Sequence, residues 1–330
     1  MQNGHYMTGD GNHHRMVEVD MMGNTIHNWD MLERGYTMHH AISQDKQGNI
    51  LATVSKTSAK IANGKDVRIN DFIIRMDPEK GEILQEWDLV NMLDSARYGM
   101  TDYNLTADPY AQNASNWAHN NGIVEWGNDY LATARYQGIF KFNKAGGIEW
   151  IISPHGYWRD RYLKLLLNPL HADGTPITDP DVIAGTKNCD DFEWPWGCHT
   201  AVPLPNGHIF YFNNGYGRNF KLDFTDRKNV YTCGIEYEVD EVNRTVRQVW
   251  QYGKERGTAY FTPARSGVQY LEQTGNRLIC PGMSNVLSNG NRGARVTEVD
   301  PETQEIVFEL ELEDAIYQRV YRMSLYPDNQ

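Results

Sequence analysis

Three histidines, His40, His119 and His199, each stand eight residues ahead of a glycine: Gly48, Gly127 and Gly207. Behind each glycine come polar residues and then an apolar stretch, as in Asn49-Ile50-Leu51, Asn128-Asp129-Tyr130-Leu131 and His208-Ile209-Phe210. A fourth copy has its turn at Gly275-Asn276 with Leu278-Ile279 behind it, and Gly267 at the matching place. Imidazole is the side chain best suited to nucleophilic and proton-transfer work near neutral pH, and it also ligates metals. Equivalent positions of a closed repeat array converge on one axis, so these three rings are expected to face one another. A single histidine there could simply tie one repeat to the next. Three in register, with an arginine close by, favour a shared site.

That arginine is Arg135, in Ala134-Arg135-Tyr136-Gln137, after the apolar and small residues Leu131-Ala132-Thr133. A guanidinium in such a wall calls for an anionic partner, and the strand offers no local carboxylate. Imidazoles plus one arginine, with no Asp or Glu at the matching positions, suit a tetrahedral oxyanion such as sulfate or phosphate. They suit a metal poorly, although three histidines alone can hold zinc. No glycine-rich phosphate loop is present, so nucleotide-dependent group transfer is not indicated.

The elements that must position these residues are strands. Alternating segments recur, each ending in a turn and a second strand closed by an aromatic: Val17–Asp20 to Trp29, Ile73–Asp77 to Trp87, Ile139–Asn143 to Trp150, Ile235–Asp240 to Trp250, and Val296–Asp300 to Phe308. Period-two alternation with Asp/Asn and Gly turns marks antiparallel hairpins. Each histidine-to-glycine pair is followed by one of these pairs, giving four strands per unit. The fold class expected is all-β, a β-propeller. Complete blades begin near Tyr36, Ala118, Cys198 and Ala264. A fifth blade is expected from the N-terminal strands up to Trp29 joined by the C-terminal strand Val320–Tyr326, closing the ring edge to edge. The domain expected is a single propeller over 1–330, interrupted by long insertions at 90–116 and 153–197. Insertions of that length usually serve as lids or binding loops, and Arg159–Leu167 is predicted to be helical.

The composition narrows the functional classes. The formal net charge is −12 over 330 residues with no long basic run, which excludes the concentrated basic face a nucleic-acid partner needs. No apolar run is long enough for a membrane span. Met1–Asp20 lacks the charged start and apolar stretch of a secretory signal, so localisation is left open. Cys189, Cys198, Cys233 and Cys280 form no CxxC pair, and no cofactor or metal is expected. Cys189 and Cys198 are the only plausible local disulfide.

Several motifs together resemble the bacterial arylsulfate sulfotransferases, whose donor is an aryl sulfate rather than an activated nucleotide sulfate. They are Met38-His39-His40-Ala41, Asn116-Trp117-Ala118-His119-Asn120-Asn121, Thr133-Ala134-Arg135-Tyr136-Gln137, Ile148-Glu149-Trp150-Ile151 with Pro154-His155, and His199-Thr200-Ala201 with Phe212–Arg218. The run Val249–Gly257 is the most specific. The resemblance spans nearly the whole chain. It implies a six-bladed propeller, of which five blades are recognisable here, and a ping-pong reaction through a sulfohistidine. By motif, His199 matches the nucleophile. His40, His119 and Arg135 match the other sulfuryl-site residues, and Asn121 matches a nearby polar contact. Tyr136 and Trp196 are the further expected substrate-binding residues, while Tyr98, Tyr103, Tyr110, Trp158 and Trp194 are other candidates for an aromatic acceptor wall. Either His40 or His119 would serve as acid and base. The family's separate N-terminal β domain and export signal are not recognised here, and members are commonly periplasmic or exported. The expected partners are small aryl sulfates and phenols, with no nucleic acid and no membrane span; a homo-oligomer is compatible. Two other classes remain open at this point: a metal-dependent, lactonase-like propeller hydrolase, and a non-catalytic binding propeller.

Overall fold

The computed structural model describes residues 4–9, 13–63, 66–97, 117–284, 293–317 and 319–321, with no side-chain description for 57–70. The described strands form five sheets, antiparallel apart from one added edge strand, arranged as a β-propeller. The first sheet has three strands, β1 (Tyr6–Gly9), β2 (Arg15–Val19) and β3 (Thr25–Asp30). The second holds β4 (Thr37–Gln44), β5 (Ile50–Asn63), β6 (Asp66–Met76) and β7 (Ile83–Asp88). The third holds β8 (Asn120–Trp126), β9 (Asp129–Ala134), β10 (Gly138–Phe142) and β11 (Ile148–Ile152). The fourth holds β12 (Asn168–Leu170), β13 (Ala201–Pro203), β14 (Ile209–Asn213), β15 (Cys233–Asp240) and β16 (Thr245–Tyr252). The fifth holds β17 (Ser266–Tyr270), β18 (Arg277–Pro281), β19 (Gly293–Val299) and β20 (Ile306–Glu313). The inner strands β4, β8, β13 and β17 lie against one another in that order.

The repeat read from the sequence is visible in the turns. Gly48, Gly127, Gly207 and Gly275 all adopt positive φ, between 66° and 86°, where a side chain would be strained. The outer hairpins turn on Asp20, Asp77, Asn143, Asp240 and Asp300, whose side-chain oxygens accept from backbone N–H groups two to four residues on. The core lies between blades. Met16 and Trp29 pack on Ile50, Val54 and Ile74, Leu51 and Ile73 on Ile123 and Phe140, Leu131 and Ile139 on Ile209 and Ile235, and Phe210 and Phe212 on Val268 and Ile279. Alternation buries one set of each strand's side chains against the preceding blade and the other against the following one.

The outer-strand tryptophans fasten successive blades. Trp87 donates its indole N–H to the Lys144 carbonyl in the third sheet (3.0 Å), Trp150 to Glu241 Oε1 in the fourth (2.8 Å), and Trp250 to the Pro301 carbonyl in the fifth (3.0 Å). Trp29 lies so close over the next blade's turn that a β-carbon on Gly81 would be 2.3 Å from its ring.

The helix and the closing strand differ from expectation. Of Arg159–Leu167, only α1 (Asp160–Leu163) is helical. The backbone at Leu165 and Leu167 instead bonds to both sides of Ile151 on the open edge of β11, at 2.8 and 3.0 Å. Asn168 precedes a proline, which disfavours helix. The second insertion then adds β12 in parallel to β16, capping that blade's edge, and a second short helix, α2 (Pro180–Ala184), follows. Its side chains Leu167, Ile177 and Val182 are buried in the core, so this insertion is built into the blade wall. Cys189 and Cys198 are not bonded to each other: all four cysteines are free thiols. The N-terminal strands form their own three-stranded sheet. Val320 and Tyr321 are not in a strand, and 322–326 of the expected closing strand lie outside the described residues.

Candidate active site

His40 and His119 sit at equivalent irregularities. Pairing shifts between Met38 and Ile42 in β4 and between Asn120 and Gly122 in β8. Both histidines hold positive φ, 52° and 53°, a costly conformation for a residue with a side chain, and one that clusters at functional sites. The bulges turn both rings toward the axis. His119 Nε2 lies 3.0 Å from His40 Nε2. His199, just ahead of β13, brings its ring centroid to 6.1 Å from that of His40. The three rings therefore meet, each delivered by the inner strand of a different blade.

His199 is 3% exposed, and its Nδ1 is 2.6 Å from Asn214 Oδ1. The Asn214 amide nitrogen donates to the Thr262 carbonyl (2.8 Å), so its oxygen must face the ring and accept. His199 therefore carries its proton on Nδ1 and presents an Nε2 lone pair. Burial, then the nearby Arg135 charge, hold its pKa well below 6.5, against the opposing Asn214 hydrogen bond. Burial and Arg135 also lower His119, to about 3, although the buried Asp71 carboxylate pulls the other way. His40 is lowered by burial and by the neighbouring rings. Its side chain is exposed, unlike that of His199.

The His40–His119 pair extends outward. His39 Nδ1 lies 3.1 Å from His40 Nδ1, and His39 Nε2 lies 3.5 Å from Asp71. Asp71 also accepts from the Asn120 N–H (3.0 Å) and Ser55 (3.1 Å). Burial raises its pKa, but His39 and these bonds outweigh that and lower it. Three imidazoles thus run in a line from a buried carboxylate to the axis, so a proton can shift along them.

Arg135 lies one residue past the end of β9, in the turn to β10, rather than within the strand. It is 3% exposed, donates to the Pro263 carbonyl (2.8 Å), and stacks on Tyr216 at 4.5 Å. It acts electrostatically on His119 and His199 and also lines a cavity beside Arg97, Tyr136, Trp196, Tyr216 and Phe220. Tyr136 is edge-on to His119 at 6.1 Å. Trp196 is buried against Phe220, at 5.2 Å. Trp158 and Trp194 are buried, donating to the Pro154 and Val182 carbonyls; neither lines that cavity itself, though Trp158 stacks on Arg97, which does. Tyr98, Tyr103 and Tyr110 lie outside the described residues. Asn121 is the extra residue of the β8 bulge; its amide donates to the Cys198 carbonyl (2.8 Å), tying β8 to the residue before His199.

Sequence reasoning missed Asn214, His39, Asp71 and Arg97. Asn214 had a signal, a second polar residue directly after the apolar run of β14. Asp71 had a weaker one, a carboxylate opening the apolar run of β6. Among the described residues, the candidate metal-holding group is His171, Cys189 and Asp191, whose ligand atoms lie within 4.8 Å of one another. It lies on the second insertion, where His171 and Cys189 both hydrogen-bond to Asp191; the channel histidines do not form such a group.

A family model described as arylsulfotransferase (ASST) matches residues 1–322. The chain is 28% identical to the arylsulfate sulfotransferase AssT of Escherichia coli O6:H1 and 29% identical to that of Lelliottia amnigena, in each case over 95% of this chain and 57% of the relative. It therefore spans little more than half the length of these relatives. Among solved structures, BamB from Moraxella catarrhalis covers 96% of this chain and 90% of its own at 8% identity and a TM-score of 0.32, a likeness too slight to carry weight.

Proposed function

Since this chain belongs to the arylsulfotransferase family, we propose that it moves a sulfuryl group from an aryl sulfate to a phenol through a sulfohistidine at His199. Nε2 of His199 attacks sulfur. The N–S bond forms as the S–O bond to the aryl group breaks, and the departing phenolate accepts a hydrogen bond from an N–H of the neutral His40–His119 pair and takes its proton from water. The acceptor phenol then gives its proton to that pair as its oxygen attacks sulfur, the N–S bond breaks, His199 is released, and the pair passes the proton to water. No nucleotide and no metal enters these steps. Arg135 holds the sulfuryl oxygens, with charge that counts most in a water-poor site. Tyr136 and Trp196 give the neighbouring cavity aromatic walls, the kind of surface on which a flat ring stacks.

The observation that carries this reading is the His199–Asn214 bond. It fixes a neutral, oriented imidazole with its free lone pair beside two other imidazoles and a guanidinium. The test is mass spectrometry after incubation with 4-nitrophenyl sulfate and no acceptor. One added sulfuryl group on His199 is expected, with both adduct and turnover lost in His199→Ala. Transfer at the wild-type rate in that variant overturns the assignment.

A further inference from the structure

The fourth inner strand contributes a glycine, Gly267, at the place read in the sequence as matching the three histidines. That place is occupied. A β-carbon on Gly267 would stand 3.7 Å from Arg319 Cγ and 3.5 Å from Thr200 Oγ1. Arg319 comes from the segment after β20, almost the whole chain away from His40, and its guanidinium donates to the backbone carbonyl of Asn121, the bulge residue two positions after His119. Thr200, the residue after His199, is 5% exposed, and its hydroxyl has no hydrogen-bond partner among the described residues. A buried hydroxyl without a partner is costly, and here it and the stem of a cation both border Gly267. A guanidinium has five N–H groups, so a bond to one carbonyl leaves others to aim elsewhere.

We propose that Arg319, with Thr200 Oγ1 beside it, is a second anion-holding group of the sulfuryl site, alongside Arg135. This rests on the sulfuryl-transfer reading above. Arg319 passes over Gly267, so a side chain longer than a β-carbon there would crowd it. The ring's fourth position thus supplies a cation from a distant segment where the other three supply imidazoles. Two guanidiniums and a hydroxyl can share the three sulfuryl oxygens without recruiting the histidines, which stay free to attack and to move protons. Arg319 also acts on His40 and His199. The charged and titratable groups facing His199 are Arg135, Arg319, His119 and His40, with Asp71 behind His119.

The test compares Arg319→Met, Arg319→Lys, Thr200→Val and Gly267→Val with the full wild-type chain. Gly267→Val crowds the stem of Arg319 with its methyl groups without deleting the cation, which keeps the test open if Arg319→Met folds poorly by circular dichroism. Calorimetric titration with inorganic sulfate should show affinity reduced ~10-fold or more in Arg319→Met and Gly267→Val, since one anion donor is commonly worth that much or more. Thr200→Val should weaken it less. In aryl-sulfate turnover, Arg319→Met should move the acid limb of the pH profile to higher pH, because His199 loses a repelling cation; Arg319→Lys should leave the limb in place. Sulfate affinity and acid limb both unchanged in Arg319→Met, in a protein that transfers sulfuryl groups, overturns the inference alone. A wild type that binds sulfate through Arg319 but transfers nothing supports the anion site and removes the transfer reading. A wild type that does neither overturns both.

Discussion

Replacing Asn214 with alanine tests the reasoning at its narrowest point. The side chain does two jobs: its oxygen accepts from His199 Nδ1 at 2.6 Å, and its nitrogen donates to the Thr262 carbonyl at 2.8 Å. Asn214 is 0% exposed, so both partners lose their bond with little access to water. An orphaned buried group costs about 1–3 kcal/mol, so with two of them a loss of about 2–6 kcal/mol in unfolding free energy is expected from urea titration. Turnover should fall further than folding explains. During attack the ring gains positive charge, and the Asn214 oxygen is the acceptor that stabilises it. Losing such an interaction costs ~100-fold or more. Asn214→Asp separates orientation from charge. It keeps an acceptor, so the tautomer survives, but a carboxylate next to an imidazole raises its pKa by about 1–3 units. His199 titrates well below 6.5 in the wild type, so its protonation limits the rate only at low pH. The aspartate variant should move that acid limb upward while retaining plateau activity within ~10-fold. The assay is stopped-flow release of 4-nitrophenolate from pH 4 to 9. Turnover of Asn214→Ala within ~3-fold of wild type would refute the claim that this bond prepares the nucleophile.

Arg135→Lys keeps the charge but loses the planar fork that grips two oxygens; turnover with 4-nitrophenyl sulfate should fall by at least ~10-fold, and an unchanged rate would make Arg135 a packing residue. His119 titrates at about 3 in the folded chain against ~6.5 unfolded, so only the unfolded state takes up its proton between those values. Stability is therefore full above pH ~6.5 and falls as pH drops toward 3, by at most about 2 kcal/mol from this group between pH 7 and 5; urea melts of His119→Gln should show that slope reduced. Trp150→Phe removes the indole bond to Glu241 and should cost about 1 kcal/mol or more in urea, with the turnover rate held; a loss of turnover at unchanged stability would contradict the latch role.

The fold was legible because its signals are local and repeated. Turn glycines at a fixed distance from three histidines and Asp/Asn hairpin ends recur in register, and they mark real blade elements. The convergence of His40, His119 and His199 followed from symmetry alone. What stayed hidden depends on distant chain meeting. Asn214 meets His199 only because β14 pairs with β13. Asp71 reaches His39 through the β4–β6 sheet. Arg319 enters from the far end of the chain, and no spacing rule connects it with Gly267. The predicted helix failed for a similar reason: a leucine-rich run was drawn to the open edge of β11, which no local propensity encodes. Part of the second insertion packs on a blade through Leu167, Ile177 and Val182, while its far end, at Trp196, lines the cavity beside Arg135.

The indole latches between blades also set a timetable. Trp87 finds its acceptor 57 residues later, Trp150 91 residues later and Trp250 51 residues later. During synthesis at ~5–20 residues per second, each outer strand therefore waits several seconds for the blade that will fasten it. The growing propeller always has one unlatched edge at its newest blade. Its apolar face is covered only by the arrival of the next blade, so a pause in translation between a tryptophan and its acceptor prolongs the interval in which the edge of that sheet can pair with another chain.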